Sequence, residues 1–266
     1  MKLYISADIE GVCGIVDWNE TFTNNPEWEN FRIQMSKEVA SVCTAAYESG
    51  FDEIIIKDAH EDGRNIIYDM LPKLSGIKLI RGWTEDPLCM MSCLDSSFDA
   101  VAFVGYHSGA FSDKNPLSHT MYLKFDYIKI NGEFVSEFII NAFTSAYFDV
   151  PVVFLSGDKA LCESAKNLNK NISTVSVLEG NGGASISMHP EIALDLIKNN
   201  AKNILSSNFE NCKITLPDKF EIEIRFREHK DAHKASFYPN MLKKDTKTVI
   251  FNTDNYFEFL RMMMFI

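Results

Sequence analysis

Several classes of protein are excluded by what this sequence lacks. No apolar run approaches the roughly 18 residues of a membrane-spanning helix. Basic residues are the scarcer charge, 26 Lys and Arg against 37 Asp and Glu, and the formal net charge of -11 disfavours a nucleic-acid backbone or an anionic bilayer as partner. Cysteine is sparse and scattered, at Cys13, Cys43, Cys89, Cys93, Cys162 and Cys212. Six such thiols in a chain this long make no disulfide framework and fit a reducing, cytoplasmic setting. Cys89 and Cys93 lie four apart, which places both on one face of a helix as small core residues. Internal repeats, low-complexity tracts and disordered linkers are missing. Met1-Lys2 runs directly into an apolar strand, so no signal peptide is expected. The glycine-rich stretch 179–183 reads as a loop. It has neither the lysine-plus-hydroxyl ending of a phosphate loop nor the GxGxxG spacing, which argues against nucleotide binding there.

What is present is ample apolar material, 46% of residues, enough for one large α/β domain or two small ones. Short continuous apolar runs at 3–5, 53–58, 77–80, 100–105, 152–155 and 172–178 read as buried strands of a parallel sheet. Helical spacing occupies 29–49, with Gly50 as stop signal, and 158–167, 190–205 and 256–266; shorter helices are expected over 66–74 and 86–94. Asn131-Gly132 between two alternating runs, 121–130 and 133–138, signals a hairpin. Beyond residue 211 the texture shifts to strict alternation at 220–226, a charged helix at 228–235 and a strand at 248–251. The fold class expected is therefore α/β, a mainly parallel sheet flanked by helices. Residues 1–210 would form the metal-binding catalytic domain, and residues 211–266 a smaller C-terminal α+β portion packed on it.

Three of the apolar strands end in residue types that bind metals: Asp8 and Glu10 after the first, Asp58 and His60 after the second, His107 after the fourth. Open α/β sheets bind ligands beyond the carboxyl ends of their strands, so residues some 50 positions apart are expected in one place. Extended backbone through Glu10 would point Asp8 and Glu10 the same way, and Gly11 and Gly14 permit a sharp turn above the strand end. With Glu137, these imidazoles and carboxylates suit zinc. Five donors exceed what one catalytic zinc needs and suit two metals if one carboxylate bridges. Asp58 is expected to orient the imidazole of His60. The long aromatic and acidic loop 17–28 is expected to serve function. His189 reads as part of a helix start, and His229 and His233 as surface residues of a charged segment.

The stretches Ser6-Ala-Asp8-Ile-Glu10-Gly11, Lys57-Asp58-Ala59-His60, Val104-Gly105-Tyr106-His107 and Ser118-His119-Thr120-Met121 resemble the zinc-dependent D-aminopeptidases of the dipeptide-transport type. The Asn131-Gly132 hairpin reaching Glu137, Asn141-Ala142 and the segment from Val150-Pro151-Val152 to Gly157-Asp158 extend the likeness in order and spacing over residues 1 to about 200. The last third resembles the family only loosely, and the loops 17–28 and 179–183 depart from it. The resemblance implies two Zn2+ per chain, one held by Asp8, Glu10 and His60, the other by Asp8 as bridge, His107 and Glu137. It implies a catalytic role for His119. It implies hydrolysis of short peptides, with an N-terminal D-amino acid as the expected feature, by a metal-bound hydroxide attacking the peptide carbonyl. It also implies a homo-oligomer of pentamer rings stacked into a decamer. Two other readings use the same ligands. An amidohydrolase or phosphoesterase would call for cations near the site, for which Lys57 and Arg64 are the candidates. A non-catalytic ring subunit would use the metals for stability alone.

Overall fold

The computed structural model describes residues 1–266. The chain runs β1 (Lys2–Ala7), α1 (Trp28–Glu48), β2 (Glu53–Asp58), β3 (Ile77–Ile80), β4 (Ala100–Tyr106), β5 (Phe125–Ile130), β6 (Glu133–Phe134) and α2 (Glu137–Tyr147). It continues through β7 (Val152–Asp158), α3 (Lys159–Leu168), β8 (Ser173–Asn181), β9 (Ala184–Ser187), α4 (Pro190–Leu205), β10 (Phe220–Phe226), α5 (His229–Ala235), β11 (Met241–Lys243), β12 (Thr248–Thr253) and α6 (Tyr256–Phe265).

β1, β2, β4 and β7 are apolar on both faces because both faces are covered. Leu3, Ile5, Ile54, Ile56 and Ala102 meet α1 and α4, while Tyr4, Ile55, Val101, Phe103 and Leu155 meet α2 and α3. Each fully buried large apolar side chain contributes roughly 1.5–3 kcal/mol, so the continuous runs are what the parallel arrangement requires. The seven-stranded sheet has the order β3-β2-β1-β4-β7-β8-β9, parallel except for the β8–β9 hairpin. Strand order reverses at β1, which has β2 on one side and β4 on the other. That reversal opens a crevice at the carboxyl ends of these three strands.

The second sheet is antiparallel, in the order β11-β12-β10-β5-β6. β10 alternates buried and solvent-facing residues as a half-buried strand must. Its partner β5 comes from the hairpin 125–134, turned by Asn131 (φ +53°) and Gly132 (φ +88°), so this sheet joins the middle of the chain to its last third. Asn131 and Gly132 both occupy the left-handed region that a two-residue hairpin turn of type I′ requires.

Two expected helices do not form. Residues 66–74 give only a single 3-10 turn at Tyr68–Met70, closed off by Pro72, which cannot continue a helix. Residues 86–94 give another at Cys89–Met91, where Cys89 (φ +51°) and Cys93 (φ +68°) sit in left-handed conformation and break the helix they were expected to share. The stretch 179–183 is a hairpin tip between β8 and β9 rather than an open loop. β11 gives no alternating signal in the sequence, being three residues long.

Candidate metal centre

β1 stops at Ala7, earlier than extended backbone through Glu10 would need. The Asp8 N–H still bonds Val104 O at 2.9 Å, but Val12 N–H turns back to Ile9 O at 3.1 Å. Two glycines let this turn sink onto the end of β4. A Cβ on Gly11 would lie 1.8 Å from Tyr106 O, and one on Gly105 (φ +70°) would lie 2.3 Å from Asp8 O. Only glycine fits such backbone approaches. The result is that His107, the residue after β4, comes to the side of Asp8.

Asp8, Glu10, His60, His107, His119 and Glu137 form one buried group at the crevice, in two overlapping sets. Around His60, Nδ1 lies 3.2 Å from Asp8 Oδ1 and 3.1 Å from Glu10 Oε2. Around His107, Nε2 lies 3.5 Å from Asp8 Oδ2 and 3.6 Å from Glu137 Oε2. His119 Nε2 is 3.4 Å from Glu137 Oε1, and its ring stacks on that of His107 at 4.3 Å. Asp8, Glu10 and His60 offer donor atoms mutually close enough to hold one ion, and so do His107, His119 and Glu137. Glu137 opens α2 behind the N-cap Ser136, where the helix dipole favours a carboxylate.

Each imidazole turns its other nitrogen to a main-chain carbonyl. His60 Nε2 donates to Thr21 O (3.0 Å), His107 Nδ1 to Ser108 O (2.9 Å) and His119 Nδ1 to Leu117 O (2.9 Å). With those protons committed, His60 Nδ1, His107 Nε2 and His119 Nε2 are left facing carboxylate oxygens, and a proton or a metal cation between nitrogen and oxygen relieves the opposed lone pairs. His107 Nε2 and Glu10 Oε2 are buried and have no hydrogen-bond partner. The donor set, nitrogen and carboxylate oxygen around orphaned buried atoms, fits divalent zinc.

The electrostatics point the same way. Burial would lower the His60 imidazole, but Glu10 and Asp8 override it and hold it well above its ordinary value. Burial likewise opposes protonation of His107, and Glu137 more than offsets it, raising His107 to about 10. Burial raises the Asp8 carboxyl well above the usual range, reinforced by Glu10. Glu10 and Glu137 are lowered despite burial, Glu10 chiefly by His60 and Glu137 by His107. His119 is lowered by burial, reinforced by the charge of His107. The carboxylates thus favour positive charge at His60 and His107, whereas His119 is shifted the other way.

Beside this group lies a cavity of about 530 Å³. His119 lines it, whereas His107 is wholly buried behind it. Trp18 and Phe22 form part of its wall and Thr21 holds His60, so the 17–28 loop both shapes the cavity and orients the His60 ring. α6 contributes Leu260, Met263 and Met264.

Asp58 does not touch the His60 ring, contrary to expectation. Its oxygens accept from Asn65 N (2.6 Å), Ile66 N (2.7 Å) and Asn65 Nδ2 (2.9 Å), and Asn65 Nδ2 reaches His60 O at 2.8 Å. The brace is therefore Asp58–Asn65, acting on the backbone of His60. His189 caps α4, its Nδ1 accepting from Glu191 N at 3.2 Å, and His229 and His233 lie on α5 away from the centre. Asn65 and Asn115 escape sequence reading. The one signal is Asn115-Pro116, which marks a turn but not its role.

A Bacillus subtilis (strain 168) D-aminopeptidase is 29% identical over 266 residues, covering 99% of this chain and 96% of the relative. Among solved structures, the Zn-dependent D-aminopeptidase DppA from Bacillus subtilis, a self-compartmentalizing protease, superposes with a TM-score of 0.92 at 28% identity, covering 99% of this chain and 96% of that one. The family model for D-aminopeptidase, peptidase M55, matches residues 1–265, and the chain belongs to that family.

Proposed function

We propose that this chain is a binuclear zinc aminopeptidase that hydrolyses short peptides carrying an N-terminal D-residue. The observation that carries the reading is the division of Asp8, whose Oδ1 faces His60 and whose Oδ2 faces His107. On this reading Asp8, Glu10 and His60 hold one ion, and Asp8, His107 and Glu137 hold the other. When bound, the two ions supply an acidified water and polarise the peptide carbonyl. His119 is left to face the cavity. Its ring, fixed through Nδ1 to Leu117 O, presents Nε2 to take a proton from the attacking water and return it to the leaving nitrogen.

The cavity lining holds six carboxylates and neither lysine nor arginine. Three of them, Glu61, Glu85 and Asp86, lie outside the ligand set and suit the ammonium of a peptide amino terminus. A phosphoester finds no lysine or arginine side chain there. Lys57 Nζ is committed to Asp58 O and Gly82 O, both at 2.7 Å, and the Arg64 guanidinium to Asp62. The D-configuration follows the activity named for the relatives. We extend to this chain the self-compartmentalizing assembly of its structural neighbour, propose for this chain pentamer rings stacked into a decamer, and infer a cytoplasmic setting from the unpaired thiols.

A panel of L- and D-dipeptides beside phosphomonoesters, with and without added zinc, tests the activity. Zinc-dependent cleavage of D-dipeptides is expected; cleavage of phosphomonoesters alone, or of nothing, refutes it. A sedimentation mass ten times the 30.2 kDa chain checks the assembly.

A further inference from the structure

Ser108, Asn115 and Asp158 are buried polar residues that neither ligate nor line the cavity. Asp158 is fully buried and accepts four hydrogen bonds: from Ser108 N (2.5 Å), Ser108 Oγ (2.6 Å), Asn115 Nδ2 (3.2 Å) and Leu161 N (2.9 Å). The last caps α3. The other three lead to the metal centre. Ser108 O is the acceptor that fixes the tautomer of His107. Asn115 Nδ2 also reaches Glu10 O at 3.0 Å, and Asn115 Oδ1 accepts from Leu117 N at 2.8 Å. Leu117 O in turn fixes the tautomer of His119.

We propose that Asp158 is a positioning residue that, through Ser108 and Asn115, sets the orientation of His107 and His119 and holds the turn bearing Glu10. One carboxylate thereby ties a strand-end ligand, a loop histidine and the β1 turn into a single frame. The other half of the centre is braced alike, by Asp58 through Asn65 to His60 O. Buried carboxylates with every donor satisfied hold such frames rigidly, and outer partners of metal-bound histidines govern affinity as well as geometry. The inference rests on the ligand assignment proposed above.

Asp158→Ser is the test, because serine still caps α3 but its side chain is too short to reproduce the ties to Ser108 and Asn115. The folded variant is expected to take up two zinc ions at saturation. Chelator competition is expected to show the weaker ion held about 10–100-fold less tightly than in the parent. Turnover of a D-dipeptide is expected to fall by a similar factor with KM little changed, and the limb of the pH–rate profile that reports His119 is expected to move. Asn115→Ala is expected to change zinc affinity in the same direction by less, and decides the matter if Asp158→Ser does not fold. Combining Asp158→Ser with Ser108→Ala is expected to cost less than the two losses multiplied, since both act along one path. Zinc affinity and turnover within about threefold of the parent in a folded variant overturn the proposal, that being too little for an outer partner of a ligand. A parent that binds no zinc overturns the ligand assignment and this inference with it. A parent that binds two ions but cleaves no peptide removes only the activity, and the chelator measurement still decides.

Discussion

Asp8, Glu10 and His60 leave two neighbouring parallel strands paired Ala7 to Asp58, whereas His107, His119 and Glu137 come from a strand end, a loop and the first residue of a helix. The first set is placed by the sheet itself. Main-chain pairing of β1 with β2 puts the residues that follow them side by side, and side-chain braces finish the placement: Cys13 N–H on Glu38 Oε1 (2.9 Å) and Asn115 Nδ2 on Glu10 O (3.0 Å) in the turn after β1, and Asn65 Nδ2 on His60 O (2.8 Å) after β2. The second set is placed by side-chain hydrogen bonds spread over residues 107 to 158. Strand pairing is cooperative and tolerant of single changes, while a network of side-chain bonds concentrates its geometry in a few atoms. The two halves should therefore fail differently, and Asp8, shared between them, should fail worst.

The largest effect expected is at that shared residue. Asp8→Ala should abolish detectable turnover and lose more zinc than Glu10→Ala, because it serves both ions; equal and small losses in the two variants count against the bridge. Next comes His119→Ala, within the second half. Turnover should fall by about 10²–10⁴-fold with metal content and fold retained and KM little altered, as steady-state kinetics beside elemental analysis will show. Loss of an ion in step with activity makes His119 a ligand instead.

A smaller effect concerns the support of the first half. Glu38 is wholly buried, Oε2 has no partner, and burial raises its carboxyl from 4.5 to about 7. Below about pH 4.5 it is protonated folded or unfolded; above about pH 7 it is ionised in both. Between these values only the unfolded chain loses the proton, so stability falls as pH rises, by about 3 kcal/mol in all. Glu38→Gln should flatten that fall, read as urea midpoints at pH 5 and pH 8; an unchanged slope contradicts it. The smallest effect lies outside both halves. Gly132→Ala places a Cβ at φ +88° and should cost about 1 kcal/mol in thermal or urea unfolding while leaving zinc content untouched.

The same contrast explains what could be read from the sequence. Strands buried on both faces announce themselves as unbroken apolar runs, so β1, β2 and β4 and the carboxylates and imidazoles just beyond them were legible. So were the hairpin turn at Asn131-Gly132 and α4, which begins at Pro190. Hydrogen bonds made by a side chain to a distant backbone leave no periodicity, so Asn65, Asn115 and the reach of Asp158 were not. Asp58 was recognisable as a helper, but its path through Asn65 was not. Residues 86–94 misled because their composition suits a helix, while the fold needs the left-handed turns at Cys89 and Cys93 to wall the cavity with Cys89 and Met90. The pairing of β5 with β10 joins residues 92 to 101 apart, and alternation in each strand says which face is buried but not which strand it meets.

The central claim, one centre of two halves joined by Asp8, is tested most directly by counting zinc. Protein loaded with zinc and freed of excess should carry two ions per chain, one in His60→Ala and one in His107→Ala, by elemental analysis against amino-acid concentration. A single ion per chain in the parent, retained equally in both variants, contradicts the account.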